Sequence, residues 1–217
     1  MANPVERCVL VTGFDPFGGA DVNPSWQAVQ ALHGQSILGH RIVGAQLPTV
    51  FVQSLQVLRD LLRRHRPTLV IATGQAAGRA AVSLERIAIN VNDARIADNL
   101  GARPIDTPVI PGGPDGYFTK LPIKAMLKAL LERGINGEVS QTAGTFVCNQ
   151  VFYGLMHELA SEPALRDTRG GLIHVPWLPE QGQPSMRLDE LVDGLKVCIE
   201  VALTTERDIR KEAGAIS

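Results

Sequence analysis

The chain has 217 residues, the length of one large domain, and its 45% hydrophobic against 20% charged residues is the balance of a folded globular protein. Lys and Arg (21) offset Asp and Glu (22) to a net charge of −1, which argues against nucleic acid or an anionic membrane as partner. No stretch approaches the roughly 20 apolar residues of a bilayer span, and the opening MANPVER lacks the apolar segment of a secretory leader. Three cysteines, few and odd in number, make no disulfide framework and suit a reducing, cytoplasmic setting.

Composition is even, without linker or repeat, so the expectation is a single domain over residues 1–217. Cys8 to Phe14 is a short apolar run closing at a Gly-rich turn, and reads as a strand. The loop from Asp15 to Val22 leads to Asn23 and Pro24, an N-cap followed by proline at the first helical position, opening a helix to about Leu32. Arg41 to Leu47 alternates weakly, as a strand does. From Phe51 to His65 leucines recur at helical spacing, and the basic cluster Arg63 to Arg66 ends that helix, where cations suit the dipole. Thr68 to Thr73 is a continuous apolar run, the pattern of a buried parallel strand. Ala81 to Val91 reads as a further strand and Leu121 to Arg133 as a helix stopped by Gly134. Glu138 to Thr142, Phe146 to Ala160, Gly171 to Leu178 and Leu188 to about Lys211 read as strand, helix, strand and closing helix. Alternating strands and helices imply an α/β layered domain with a largely parallel sheet. Function in such sheets gathers beyond the carboxyl ends of the strands, where several of the Gly-rich turns fall. The stretch from Asn92 to Tyr117 is long for a simple connection and fits a lid, a binding loop or a subunit contact.

Cys148 falls in the first turn of its helix, where backbone N–H groups and the dipole favour a thiolate. It also shares a face with Val151, Phe152, Leu155 and Leu159, as a small core residue does, so both readings stand. Cys8 and Cys198 lie on apolar faces of a strand and a helix and read as inert. A nucleophilic thiol needs a base. His157 lies nine positions beyond Cys148, half a turn off and about 13 Å along the axis, on the wrong face. His33, His40 and His65 sit at polar element ends. His174 lies inside the apolar strand GLIHVPWLP, and is either a satisfied core residue, as a lone strand histidine more often is, or a site residue at the sheet edge where a site forms. Glu85, on a strand face with Ile87, Ile89 and Val91, is either an edge carboxylate or an acid that orients an imidazole. Phe14 and Phe17 in the turn GFDPFGG, and Phe146 near Cys148, are core residues or the walls of a small apolar pocket. That turn has the position of a phosphate loop but matches no dinucleotide or Walker pattern. No H-E-x-x-H, C-x-x-C or Asp-rich calcium loop is present, so neither metal nor cofactor is expected.

Five segments occur in order: VTGFDPFGG-x-x-x-NPSW at Val11 to Trp26, GQAAGR at Gly74 to Arg79, ERIAINVNDARIADN at Glu85 to Asn99, TAGTFVCNQVFYGLMH at Thr142 to His157, and HVPWLPEQ at His174 to Gln181. Together they resemble the pyroglutamyl-peptidase I (pyrrolidone-carboxylate peptidase) family of cytosolic cysteine peptidases. The likeness covers about Val9 to Leu203 and is weakest after Asp189. It implies a three-layer α/β/α sandwich with a mostly parallel mixed sheet, often a homotetramer. It further implies hydrolysis of an N-terminal pyroglutamyl residue from peptides by a catalytic set of Glu85, Cys148 and His174. By the same resemblance Phe14, Phe17 and Phe146 hold the pyrrolidone ring, with Gln75 beside it and Arg95 near the catalytic residues. Two rival readings are a binding-only relative and, by fold analogy alone, a nucleoside phosphorylase; the sequence shows no basic phosphate cradle for the latter.

Overall fold

The computed structural model describes residues 7–214, so the leader reading of the opening residues falls almost wholly outside them. Seven strands form the main sheet: β1 (Cys8–Phe14), β2 (Ser36–Ile37), β3 (His40–Leu47), β4 (Leu69–Gln75), β5 (Val82–Glu85), β8 (Gly137–Ser140) and β9 (Arg169–Val175). Their spatial order is β2-β3-β1-β4-β9-β5-β8. β3, β1, β4 and β9 are parallel; β2 is antiparallel to β3, and β5 is antiparallel to β9 while parallel to β8. The sheet is therefore mixed and mostly parallel.

Helices cover both faces. α1 (Pro24–Leu32), α3 (Ile123–Glu132) and α5 (Leu188–Thr204) pack on one face against Val9, Val11, Leu69, Ile71, Ile173 and Val175. α2 (Gln53–His65) and α4 (Val147–Ser161) pack on the other against Leu10, Val70, Ala72 and Leu172. Side chains alternate across a strand, so the near-continuous apolar runs of β1, β4 and β9 supply both cores. The result is a three-layer α/β/α sandwich.

Three local expectations need correction. The single strand from Ala81 to Val91 is two, because the chain leaves the main sheet at Arg86. Its first half is β5; its second, β6 (Ile87–Ile89), pairs antiparallel with β7 (Gly116–Phe118) in a separate ribbon. Glu85 and Ile87 thus do not share one strand face. The closing helix ends at Thr204 rather than near Lys211, since residues 205–214, rich in charge, bury no apolar face. α2 begins at Gln53, after Val52 takes a positive φ of 67°.

The turn after β1 is fixed by its contacts with α1. A Cβ on Gly13 would stand 2.7 Å from backbone atoms of Ser25 and Trp26, so only glycine lets α1 approach this closely. Asn23 caps α1 by accepting from the Ser25 N–H at 3.1 Å, and its amide donates to the Asp15 carbonyl. Ser25 Oγ accepts in turn from the Phe14 N–H at 3.1 Å. The glycines and NPSW thus serve turn geometry and helix docking, which accounts for the position of the loop without a phosphate.

Candidate active site

α4 begins at Val147 with Phe146 as its N-cap, and no side chain caps it, so the amides of the first turn point outward around Cys148. The two residues after Cys148 hold this turn in place. Asn149 is fully buried; its Oδ1 accepts from the Ile89 N–H at 3.1 Å, and its Nδ2 donates to the carbonyls of Ile89 and Val91. Gln150 Oε1 accepts from the Val52 N–H and the Ser54 hydroxyl. The preceding loop is tied by Thr145, whose hydroxyl donates to the Asp93 carbonyl at 2.7 Å while its own carbonyl accepts from Asp93 N–H. Cys148 itself is partly buried, packed against the apolar cluster of α4 on one side and open on the other.

His174 lies at the carboxyl end of β9, 4% exposed. In the parallel register with β4 it stands beside Gly74, and in the antiparallel register with β5 beside Ser83. Glu85, two residues past Ser83, therefore shares the face of His174 as its diagonal neighbour. The carboxylate, 0% exposed, accepts from His174 Nδ1 at 2.7 Å through Oε1. The other imidazole edge meets the thiol. A Cβ placed on Gly74 would stand 2.8 Å from Cys148 Sγ and 3.2 Å from His174 Nε2, so sulfur and imidazole converge over this glycine. Burial works to lower the His174 pKa. Hydrogen bonds to Cys148 and Glu85, and their charges, outweigh it and hold the imidazole up at about 9. At neutral pH it carries its second proton, with Glu85 at one nitrogen and Cys148 at the other edge. Glu85, Cys148 and His174 thus come together from β5, α4 and β9.

Of the aromatic candidates, Phe17 and Phe146 face each other with ring centroids 6.0 Å apart. Phe14 is buried in the core cluster on which Phe146 packs. Phe51, not singled out from the sequence, packs edge-on against Phe146 at 5.3 Å; it lay hidden at the start of a helical leucine pattern. Gln75 ends β4 one residue past Gly74, and its Oε1 accepts from Gln181 at 3.3 Å. Phe17, Gln75, Ile96 and Trp177 line a groove of about 630 Å³. Arg95 is exposed and makes no hydrogen bond among the described residues. The long segment after Asn92 is strapped to these loops: Asn99 donates to the Pro16 carbonyl, and Asp98 accepts from the Phe51 N–H.

The remaining candidates lie elsewhere. Burial pushes the Cys198 thiol up to about 12, and Cys8 turns its thiol to the His65 carbonyl. His157 shares a hydrogen bond with the Tyr117 hydroxyl at 3.0 Å, away from Cys148. Among the described residues no three His, Cys, Asp or Glu side chains group as a metal site.

A family model described as pyroglutamyl peptidase matches residues 7–205. The chain belongs to the pyroglutamyl peptidase family. It is 53% identical to the pyrrolidone-carboxylate peptidase of Cupriavidus necator, over 97% of this chain and 99% of the relative. It is 56% identical to pyrrolidone-carboxylate peptidase 1 of Ralstonia nicotianae, over 96% and 98%. The crystal structure of pyroglutamyl peptidase I from Bacillus amyloliquefaciens superposes with a TM-score of 0.92 at 47% identity, covering 95% of this chain and all of that one. A mutant pyrrolidone carboxyl peptidase from Pyrococcus furiosus superposes with a TM-score of 0.86 at 43% identity, covering 90% and 97%. The chain is thus an enzyme, a peptidase of this family, with the family's α/β fold.

Proposed function

We propose that this chain removes an N-terminal pyroglutamyl residue from peptides, with Cys148 as nucleophile, His174 as general acid and base, and Glu85 as the carboxylate that orients the imidazole. The observation that carries this reading is the convergence of Cys148 Sγ and the His174 ring over Gly74, with Glu85 Oε1 at 2.7 Å from Nδ1. The thiolate attacks the carbonyl attached to the ring, and the first-turn amides of α4 receive the oxyanion. The C–N bond breaks as His174 Nε2 gives its proton to the leaving amine, leaving a thioester on Cys148. The imidazole then takes a proton from water, whose oxygen displaces the thiolate and frees pyroglutamic acid.

Substrate choice follows from polarity. The pyroglutamyl ring is a neutral lactam, suited to flat apolar walls; Phe17 and Phe146 form these, with Phe14 and Phe51 packed behind them. Gln75 and backbone groups are the partners for the lactam N–H and C=O, and Arg95 belongs to the loop beside the site. An open glutamyl terminus would bury an unpaired ammonium there and is rejected.

We further propose that the 217 residues form one catalytic domain working without metal or cofactor, in the cytoplasm, as a homo-oligomer that is a tetramer. Leu100, Ile105 and Phe118, exposed on the segment after Asn92, support a contact between copies there. The deciding experiment incubates purified protein with a chromogenic pyroglutamyl amide, with and without a thiol alkylating reagent. Amine release that alkylation stops and chelator leaves alone supports the proposal. A folded, reduced sample that releases nothing returns the chain to a binding role.

A further inference from the structure

Glu85 is a carboxylate with no exposed surface, yet both of its hydrogen bonds fall on one oxygen. Oε1 accepts both from His174 Nδ1 and from Arg79 Nη1, each at 2.7 Å, while Oε2 is buried with no hydrogen-bond partner among the described residues. Arg79 lies in the β4–β5 loop just past Gly78, which takes a φ of 80°. Its Nη2 donates to the Thr142 carbonyl at 3.1 Å, in the loop that leads into the Cys148 helix. The guanidinium, 26% exposed, therefore stands between solvent and Glu85 and ties the loop before Cys148 to the strand that carries Glu85.

We propose that Arg79 is a positioning residue of this site, which keeps Glu85 ionised and aimed at His174 throughout the reaction. This rests on the proposed roles of Glu85, Cys148 and His174. The reason is electrostatic. A buried carboxylate is tolerable only with a cationic partner. His174 is such a partner while it carries its second proton, but it hands that proton to the leaving amine in every cycle. At that moment Glu85 would be an isolated buried anion and would draw the Nδ1 proton towards itself. Arg79 cannot lose its charge, so it holds Glu85 in the carboxylate form at the step where the imidazole is neutral. A second effect comes from sharing Oε1. The guanidinium competes with Nδ1–H for the same lone pairs, which prevents Glu85 from holding the imidazolium too tightly to release its proton.

The charged groups around Glu85 are few. His174 faces it from β9 and Arg79 from the β4–β5 loop, with Cys148 of α4 beyond the imidazole. On β8, Glu138 accepts instead from the Ser83 hydroxyl at 2.6 Å, and the adjacent Arg86 donates to Gln141 at 2.8 Å. Removing the Arg79 charge thus leaves nothing of like sign to replace it. With that positive charge gone His174 holds its second proton more tightly, and both limbs of the pH–rate profile move to higher pH.

The test compares Arg79→Gln and Arg79→Lys with wild type, using a chromogenic pyroglutamyl amide across pH and, separately, alkylation of Cys148 by iodoacetamide across pH. For Arg79→Gln, kcat at pH 7 falls by about tenfold to a hundredfold, a share of what a proton relay contributes, with KM within about twofold. Both limbs rise by about one pH unit, the effect of one charge a few ångströms from the imidazole. The alkylation profile, which needs no substrate, moves the same way. Arg79→Lys, which keeps the charge but not the fork to Thr142, returns the limbs towards wild type while kcat stays reduced. Unmoved limbs in both profiles for Arg79→Gln, whether or not its thermal midpoint drops, overturn the proposal and make Arg79 a structural tie. If Arg79→Gln does not fold, Arg79→Met, which keeps the length of the apolar stem without the charge, takes its place with the same outcomes: limbs moved to higher pH support the proposal and unmoved limbs overturn it. A wild-type enzyme inert towards every pyroglutamyl substrate defeats the functional reading instead, and the alkylation profiles still judge Arg79.

Discussion

Gly74 is the position at which the site is least tolerant of one added carbon. A methyl group there would meet Cys148 Sγ at 2.8 Å and His174 Cδ2 and Nε2 at 3.1 and 3.2 Å, against an ordinary contact of about 3.5–4.0 Å. The overlap of more than half an ångström must be relieved by something that moves. The imidazole is anchored at 2.7 Å to a fully buried Glu85, and β4 is hydrogen-bonded between β1 and β9, so the freest group is the thiol. Rotating Sγ away removes it from Nε2 and from the line of attack. A displacement near 1 Å is worth about a hundredfold in rate, and Gly74→Ala should lose that much in kcat/KM on a chromogenic pyroglutamyl amide. Stability should change little, because alanine in a strand gains about 0.5–1 kcal/mol over glycine and offsets part of the crowding. The alkylation rate of Cys148 should fall in parallel, since the sulfur leaves the imidazolium that favours its thiolate. A folded Gly74→Ala enzyme within a few-fold of wild type in both assays would refute the convergence of thiol and imidazole at this glycine.

Other substitutions grade the same site. His174→Ala should remove turnover nearly completely. Glu85→Gln, which keeps an oxygen for Nδ1–H but loses the charge, should fall between that variant and wild type; equal rates for Glu85→Gln and wild type would make Glu85 structural. Because the His174 imidazole holds its second proton to about 9, the alkaline limb of kcat/KM should fall as pH rises through that value, where the general acid is lost. A limb centred near 6.5 would instead mark an unpartnered histidine. Asn23→Ala should cost about 1 kcal/mol of stability through the lost cap, a fall of about 2–4 °C in thermal midpoint for a domain of this size, and calorimetry reads it directly.

Much of this fold was legible because hydrophobic pattern and turn chemistry agree. β1 and α1 lie where the apolar run, the glycines and the Asn23–Pro24 pair put them. The break at Arg86 was not legible. Ala81 to Val91 alternates as one strand does, and only tertiary pairing splits it: Arg86 N–H donates to the Ser140 carbonyl while its own carbonyl accepts from Thr119 N–H, so the residue belongs to both sheets. β2 and β7, two and three residues long, are too short to leave a period. At the site, helix position and apolar face argued in opposite directions for Cys148, and the structure contains both, a residue packed on the core at one side and open at the other. Phe51 and Arg79 carried no local signal, because an aromatic before a leucine helix and an arginine after a Gly-rich turn are ordinary surface punctuation.

The reversed strand explains why the acid was the hardest residue to read. In the parallel part of the sheet, Phe14, Gln75 and His174 lie at the carboxyl ends of their strands, the side where sites gather in such folds. Glu85 also ends its strand, but β5 runs against β9, so that end points away from the edge where the others gather. It reaches His174 only because the register pairs Ser83 with His174, which leaves Glu85 diagonal to the imidazole on the same face. A shift of one residue in that register would turn the carboxylate to the opposite face, into the apolar layer of Val82 and Leu84. The position below the edge also explains the burial. An acid at the rim would be solvated and titrate freely, whereas one set a strand-diagonal deeper is dry and must be held by charge. Arg79 reaches down from the rim to supply that charge, and its second bond to Thr142 joins the loop before Cys148 to the same point. The antiparallel strand and the arginine are then two parts of one arrangement, in which a buried anion keeps an imidazolium ready beside a thiol.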